Sequence, residues 1–144
     1  MRPQGLKAKI FLDSGDPAET KAALALLGFL DGQTTNPTLV AKNPYARERF
    51  EKGDKFTEDE ILDFYKQVVI DISDLIPDGS VSIEVHADQT TTAEQMLAQG
   101  REMFRWIPNA HIKYPTTMAG LTAAEQSVHD GLRVNMTLCF SQEQ

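Results

Sequence analysis

Five short apolar runs recur along the chain, and the segments between them carry helix start and stop signals. The runs are residues 9–13 (KIFLD), 31–36 (DGQTTN), 80–85 (SVSIEV), 110–114 (AHIKY) and 132–140 (LRVNMTLCF). They are short and bounded by turn residues, which marks them as strands. Most are continuous rather than alternating in polarity, as expected of strands covered on both faces. Before the first helix, Asp16 supplies an N-cap, Pro17 a first-turn proline and Glu19 an acidic third position, with Gly28 just past the end. Thr57 and Glu60 form a capping box for a longer helix, whose apolar stripe is Ile61, Phe64, Tyr65, Val68, Ile72, Leu75 and Ile76. A third helix is expected from about Thr92 to Trp106, before Pro108, and a fourth from about Thr117 to His129, before Gly131. Alternation of this kind predicts an α/β fold built from βαβ units on a parallel sheet. At 144 residues it predicts a single domain, 1–144, with residues 41–56 a charged surface extension.

Bulk properties narrow the function classes. The net charge of −7 disfavours nucleic acid or an anionic membrane as the main partner, since phosphate backbones need clustered cations. A small phosphorylated substrate held by one or two cations stays compatible. The one cysteine, Cys139, forms no internal disulfide, no apolar leader opens the chain, and no run approaches membrane-spanning length. A cytoplasmic protein is expected, with Cys139 packed in an apolar strand.

The polar residues of the strands are informative by position. Each strand carries such groups at or near its C-terminal end: Asp13; Thr34 and Asn36; Glu84; Lys113; Asn135 and Thr137. In parallel α/β folds ligands bind at that end. Lys113 is the sharpest case, because HIKYP sets a lysine in an apolar strand. An isolated ammonium in an apolar interior costs several kcal/mol and tends to shed its proton. Either Lys113 snorkels to solvent from an edge strand, or the fold keeps a nucleophilic amine there. Asp13 and Glu84 are candidate proton shuttles, or strand-end residues wetted by solvent. Asn36, before Pro37, is equally consistent with turn chemistry. His86, His111 and His129 show no metal-ligand spacing, and Met96, Met103, Phe104 and Ile107 fall at core positions of a helix.

In order, KIFLDSGDPAE, DGQTTNPTLVAK, SVSIEV, NAHIKYPTTMAGLTAAE and GLRVNMTLCFS resemble the transaldolase family, class I aldolases that form Schiff bases within (β/α)8 TIM barrels. The resemblance runs from about Lys9 to Gln144 and is weakest over 41–79. It implies that this chain carries about the first five βα units of such a barrel. It implies that Lys113 forms an imine with a ketose and that Asp13 is the general acid/base for the C4 hydroxyl. Glu84 would act through a water held by Thr137. Asn36 and Asn135 would bind the hydroxyls of a dihydroxyacetone unit, with Thr34 supporting Asn36. The implied partners are small sugar phosphates of the pentose phosphate pathway, and no cofactor or metal is called for.

Related fructose-6-phosphate aldolases typically carry glutamine at the Glu84 position and a G-T-A-V-Y-like strand in place of NMTLCF, so both positions here follow the transferase pattern. The family's phosphate-binding serine and arginines would lie on the sixth strand and beyond. Five strands cannot close an eight-stranded barrel, so weak or absent activity of this chain alone is expected. The final SQEQ has the form of a capping box with little chain after it. A second class of function is a non-catalytic half-barrel that binds a partner, or a second copy as a homo-oligomer, through its open edge strand.

Overall fold

A computed structural model describes residues 2–54 and 56–144, with Glu58 described by its backbone alone. It is an α/β fold in which five strands alternate with helices along the chain. The chain divides into two compact units, Met1–Val81 and Ser82–Gln144.

In the first unit, β1 (Phe11–Asp13) pairs in parallel with β2 (Gly32–Thr34), so that Leu12 faces Gln33 and Asp13 faces Thr34. Between them runs α1 (Pro17–Leu27), started by Asp16, whose side chain accepts from the Ala18 amide. It is stopped by Gly28 in the left-handed region, as its sequence signals require. The longest helix, α4 (Glu58–Leu75), opens with the expected Thr57/Glu60 capping box. Tyr65, Val68, Val69, Ile72 and Ile76 are buried, whereas Ile61 of the predicted stripe is half exposed. Full burial of such side chains contributes about 1.5–3 kcal/mol each.

Residues 41–56 lie mostly at the surface, as expected of a charged extension, but carry helical structure. Two short helices, α2 (Pro37–Ala41) and α3 (Pro44–Glu51), are each started by an asparagine N-cap followed by proline. Ala46 of α3 is buried within the charged stretch, and Val40 of α2 is buried just before it. With Phe50, Phe56, Ile61 and Phe64 these residues line an apolar recess of about 420 Å³. Lys55, within the same stretch, lies outside the described residues.

The second unit begins inside β3 (Ser80–Glu84) and continues through α5 (Ala93–Met103), β4 (Ala110–Pro115), α6 (Met118–His129) and β5 (Val134–Thr137). β4 and β5 are parallel, with Lys113 opposite Asn135 and Pro115 opposite Thr137. Ile112 and Tyr114 are fully buried, and the Tyr114 hydroxyl bonds to Ser127 of α6 at 2.8 Å. Burial pushes that phenol above its ordinary value, so Tyr114 is a neutral packing group. Met96, Met103 and Ile107 are buried as their spacing predicts, and Phe104 is half-buried.

Cys139 departs from expectation. β5 ends at Thr137, Leu138 takes a positive φ of 62°, and Cys139 is exposed beyond it. The apolar run 132–140 outlasts its strand because the turn at Leu138 breaks the extended backbone. No helix forms over 141–144; the Gln144 carboxamide instead accepts from the Phe140 amide at 2.8 Å.

Gly120 gives a test in which two effects oppose. Replacing a helical glycine with alanine gains about 1 kcal/mol of helix propensity. Here a Cβ would run into the carbonyl of Pro115, the last residue of β4. Backbone cannot rotate away as a side chain can, so Gly120→Ala is expected to lose about 2 kcal/mol net, measured by urea unfolding.

Candidate active site

Strand ends present the candidate residues in two groups, one in each unit. In the second, β3, β4 and β5 bring forward Glu84, Lys113 and Asn135. The Lys113 ammonium lies 3.1 Å from a Glu84 carboxylate oxygen. Lys113 is only 8% exposed, between buried Ile112 and Tyr114. Alternation along β4 sends those two neighbours to one face and Lys113 to the other. The sequence posed escape to solvent or isolation in the core; the structure shows a buried lysine paired with a carboxylate. Reaching past β4, the Asn135 side-chain amide of β5 donates to the Ser82 hydroxyl of β3 at 2.9 Å. Ser82, 1% exposed, lies two residues before Glu84 and so on the same face of β3. Sequence reasoning passed over Ser82, although period-two spacing from Glu84 could have found it. Thr137 ends β5, and its carbonyl accepts from both the amide and the hydroxyl of Thr116.

In the first unit, the Thr34 hydroxyl donates to the Asp13 carboxylate at 2.7 Å, across the register pair of β1 and β2. Asp13 is exposed and opens into a polar cleft of about 300 Å³ that Asp16, Lys42, Asn43 and Arg47 also line. Asn36 is the N-cap of α2: its side-chain oxygen accepts from the Leu39 amide at 2.8 Å. The turn reading of Asn36 therefore describes its oxygen, and its amide nitrogen is the end with donors to offer a hydroxyl. Thr35, between Thr34 and Asn36, is buried with its hydroxyl 2.8 Å from that of Tyr65. Among the described residues no cluster of three or more His, Cys, Asp or Glu side chains has metal-binding geometry, and no helix is long and apolar enough to cross a membrane.

The lysine–glutamate pair lies at the C-terminal ends of parallel strands, where α/β folds bind their ligands. Comparison with known proteins makes the class specific. Residues 10–144 match the family model described as Transaldolase/Fructose-6-phosphate aldolase, and the chain belongs to that family. A probable transaldolase of Dehalococcoides mccartyi is 40% identical over 136 residues, 94% of this chain and 53% of that protein. One from Rhodospirillum centenum is also 40% identical, over 94% of this chain and 49% of its own length. One from Streptococcus agalactiae is 35% identical, over 92% and 51% respectively. The chain thus spans about half the length of the curated relatives it matches.

The ion pair makes a thermodynamic prediction. Glu84→Leu leaves a buried ammonium uncompensated and is expected to cost about 3 kcal/mol of stability. The double variant Lys113→Met/Glu84→Leu replaces both charges with apolar groups and should recover most of that loss. Urea unfolding of the two single variants, the double variant and the parent completes the cycle; a coupling energy near zero would contradict the pairing.

Proposed function

We propose that this chain carries the imine-forming part of a transaldolase, acting on a ketose phosphate such as fructose 6-phosphate. The observation that carries the reading is Lys113, buried on β4 with Glu84 at 3.1 Å and Asn135 on the neighbouring strand. A lysine shielded from water, with a carboxylate able to accept its proton, is suited to attack a carbonyl. Glu84 then serves as proton carrier while the carbinolamine loses water, with Thr137 holding the water that relays the proton.

In the next step the Asp13 carboxylate takes the proton of the C4 hydroxyl. The C3–C4 bond breaks, the aldose fragment leaves as an aldehyde, and the bonding electrons pass into the protonated imine to give an enamine on Lys113. The hydrogen bond from Thr34 to Asp13 supports that role by fixing the carboxylate. Asn36 and Asn135 contribute donors for the hydroxyls of the three-carbon unit, and Thr34 supports the first of these through the strand end. The enamine then attacks a second aldose, such as erythrose 4-phosphate, Asp13 returns its proton to the new hydroxyl, and water hydrolyses the imine to free Lys113 and a seven-carbon ketose phosphate. Glu84 in SIEV and the NMTLCF strand favour transfer over release of dihydroxyacetone. Small sugar phosphates are the partners on this reading, within the pentose phosphate pathway and in the cytoplasm.

Borohydride trapping with fructose 6-phosphate, read by intact mass and peptide mapping, tests the proposal. The expected result is an adduct on Lys113 that Lys113→Met abolishes. Asp13→Asn should still trap the imine while cleavage falls by about 10²-fold or more. Dihydroxyacetone as the main product in the presence of erythrose 4-phosphate would convert the assignment to a simple aldolase. Absence of any adduct from folded chain would refute imine chemistry by this chain alone.

A further inference from the structure

Gln33 is a polar residue in the middle of β2 that neither the strand pattern nor the catalytic assignment uses. It is fully buried, and both ends of its carboxamide are engaged. Its oxygen accepts from the hydroxyl of Thr20 at 2.7 Å, and its nitrogen donates to the carbonyl of Ser14 at 2.9 Å. Thr20 is itself fully buried on α1. Ser14 directly follows Asp13, and each of its polar groups is held. Its amide donates to the Thr34 carbonyl at 3.1 Å, its hydroxyl meets the Glu19 carboxylate, and the Asp16 amide donates to that hydroxyl at 3.0 Å.

Burying a primary amide is costly unless its hydrogen bonds are made. An apolar residue would fill the same space beneath α1 without that requirement. What the amide adds is direction: it ties the turn after Asp13 to α1 and to β2 at once. Alternation along β2 sends Gln33 to the helix-facing side while Thr34 reaches Asp13 on the other. Asp13 is thus held from in front by Thr34 and from behind through the Ser14 turn.

We propose that Gln33, with Thr20, is a positioning residue for Asp13, setting the angle at which its carboxylate meets the hydroxyl to be deprotonated. This rests on the assignment of Asp13 as the acid/base of an aldol cleavage. A positioning defect must therefore slow bond cleavage and spare imine formation, which belongs to Lys113. Small misplacements of a catalytic group are worth one to two orders of magnitude in rate.

The test compares the full 144-residue chain with Gln33→Met and the milder Thr20→Val in three readouts. These are Ser14 amide hydrogen exchange by NMR, borohydride trapping on Lys113 with fructose 6-phosphate, and release of glyceraldehyde 3-phosphate. In Gln33→Met, Ser14 exchange is expected to rise about tenfold as the turn loosens. Cleavage should fall about tenfold with trapping within about twofold of the parent, and Thr20→Val should show the same pattern more weakly. Parallel loss of trapping and cleavage would reduce Gln33 to general stability and overturn the proposal, as would unchanged cleavage. If the parent chain traps no imine, imine chemistry by this chain alone has failed. Ser14 exchange then decides the clamp alone, and an unchanged rate in Gln33→Met overturns it.

Discussion

A charged amine inside a parallel strand must be compensated, and Glu84 on β3 supplies the compensation for Lys113 on β4. Neighbouring strands of a sheet lie about 4.8 Å apart, so residues in register are in side-chain reach. β5 extends the row with Asn135 directly beside Lys113. The remaining features of this unit serve that row. Ile112 and Tyr114 anchor β4 by its opposite face, and α6 starts where the Pro115 carbonyl and Gly120 allow it to approach. Exchanging both members for apolar residues need not cost stability, whereas removing one alone leaves the other charge buried without its partner.

The first unit solves a different problem with the same geometry. Asp13 is exposed and needs orientation, not compensation. Thr34 bonds to it in register, while Gln33 and Thr20 hold the turn that follows. Two consecutive residues of β2 thus act on the same carboxylate from opposite faces of the strand. Asn36, two residues after Thr34, starts α2 with its side-chain oxygen.

Much of this was legible in advance because its causes are local. Asp16, Thr57, Thr92 and Thr117 cap helices by bonding to amides two or three residues on, and such contacts need no knowledge of the rest of the chain. Residues 37–51 were harder: α2 is only five residues long, too short for a helical period to show, and the charges of α3 mask buried Ala46. Cys139 was misjudged because hydrophobicity says nothing about where backbone turns, and Leu138 turns it. Gln33 reads from sequence as an odd polar residue in a strand, and its partners lie 13 and 19 residues away.

By itself the sequence determined the alternation of strands and helices, the polar groups at strand ends and the transaldolase-family motifs, all of which follow from residue type and short spacing. Tertiary structure alone decided what those groups do to one another. Strand register made a partner of Glu84 for Lys113, 29 residues apart in sequence, and set Thr34 against Asp13. The reason is that register is a property of paired backbones: a shift of one residue turns every side chain to the opposite face, and no single strand records which neighbour it will meet.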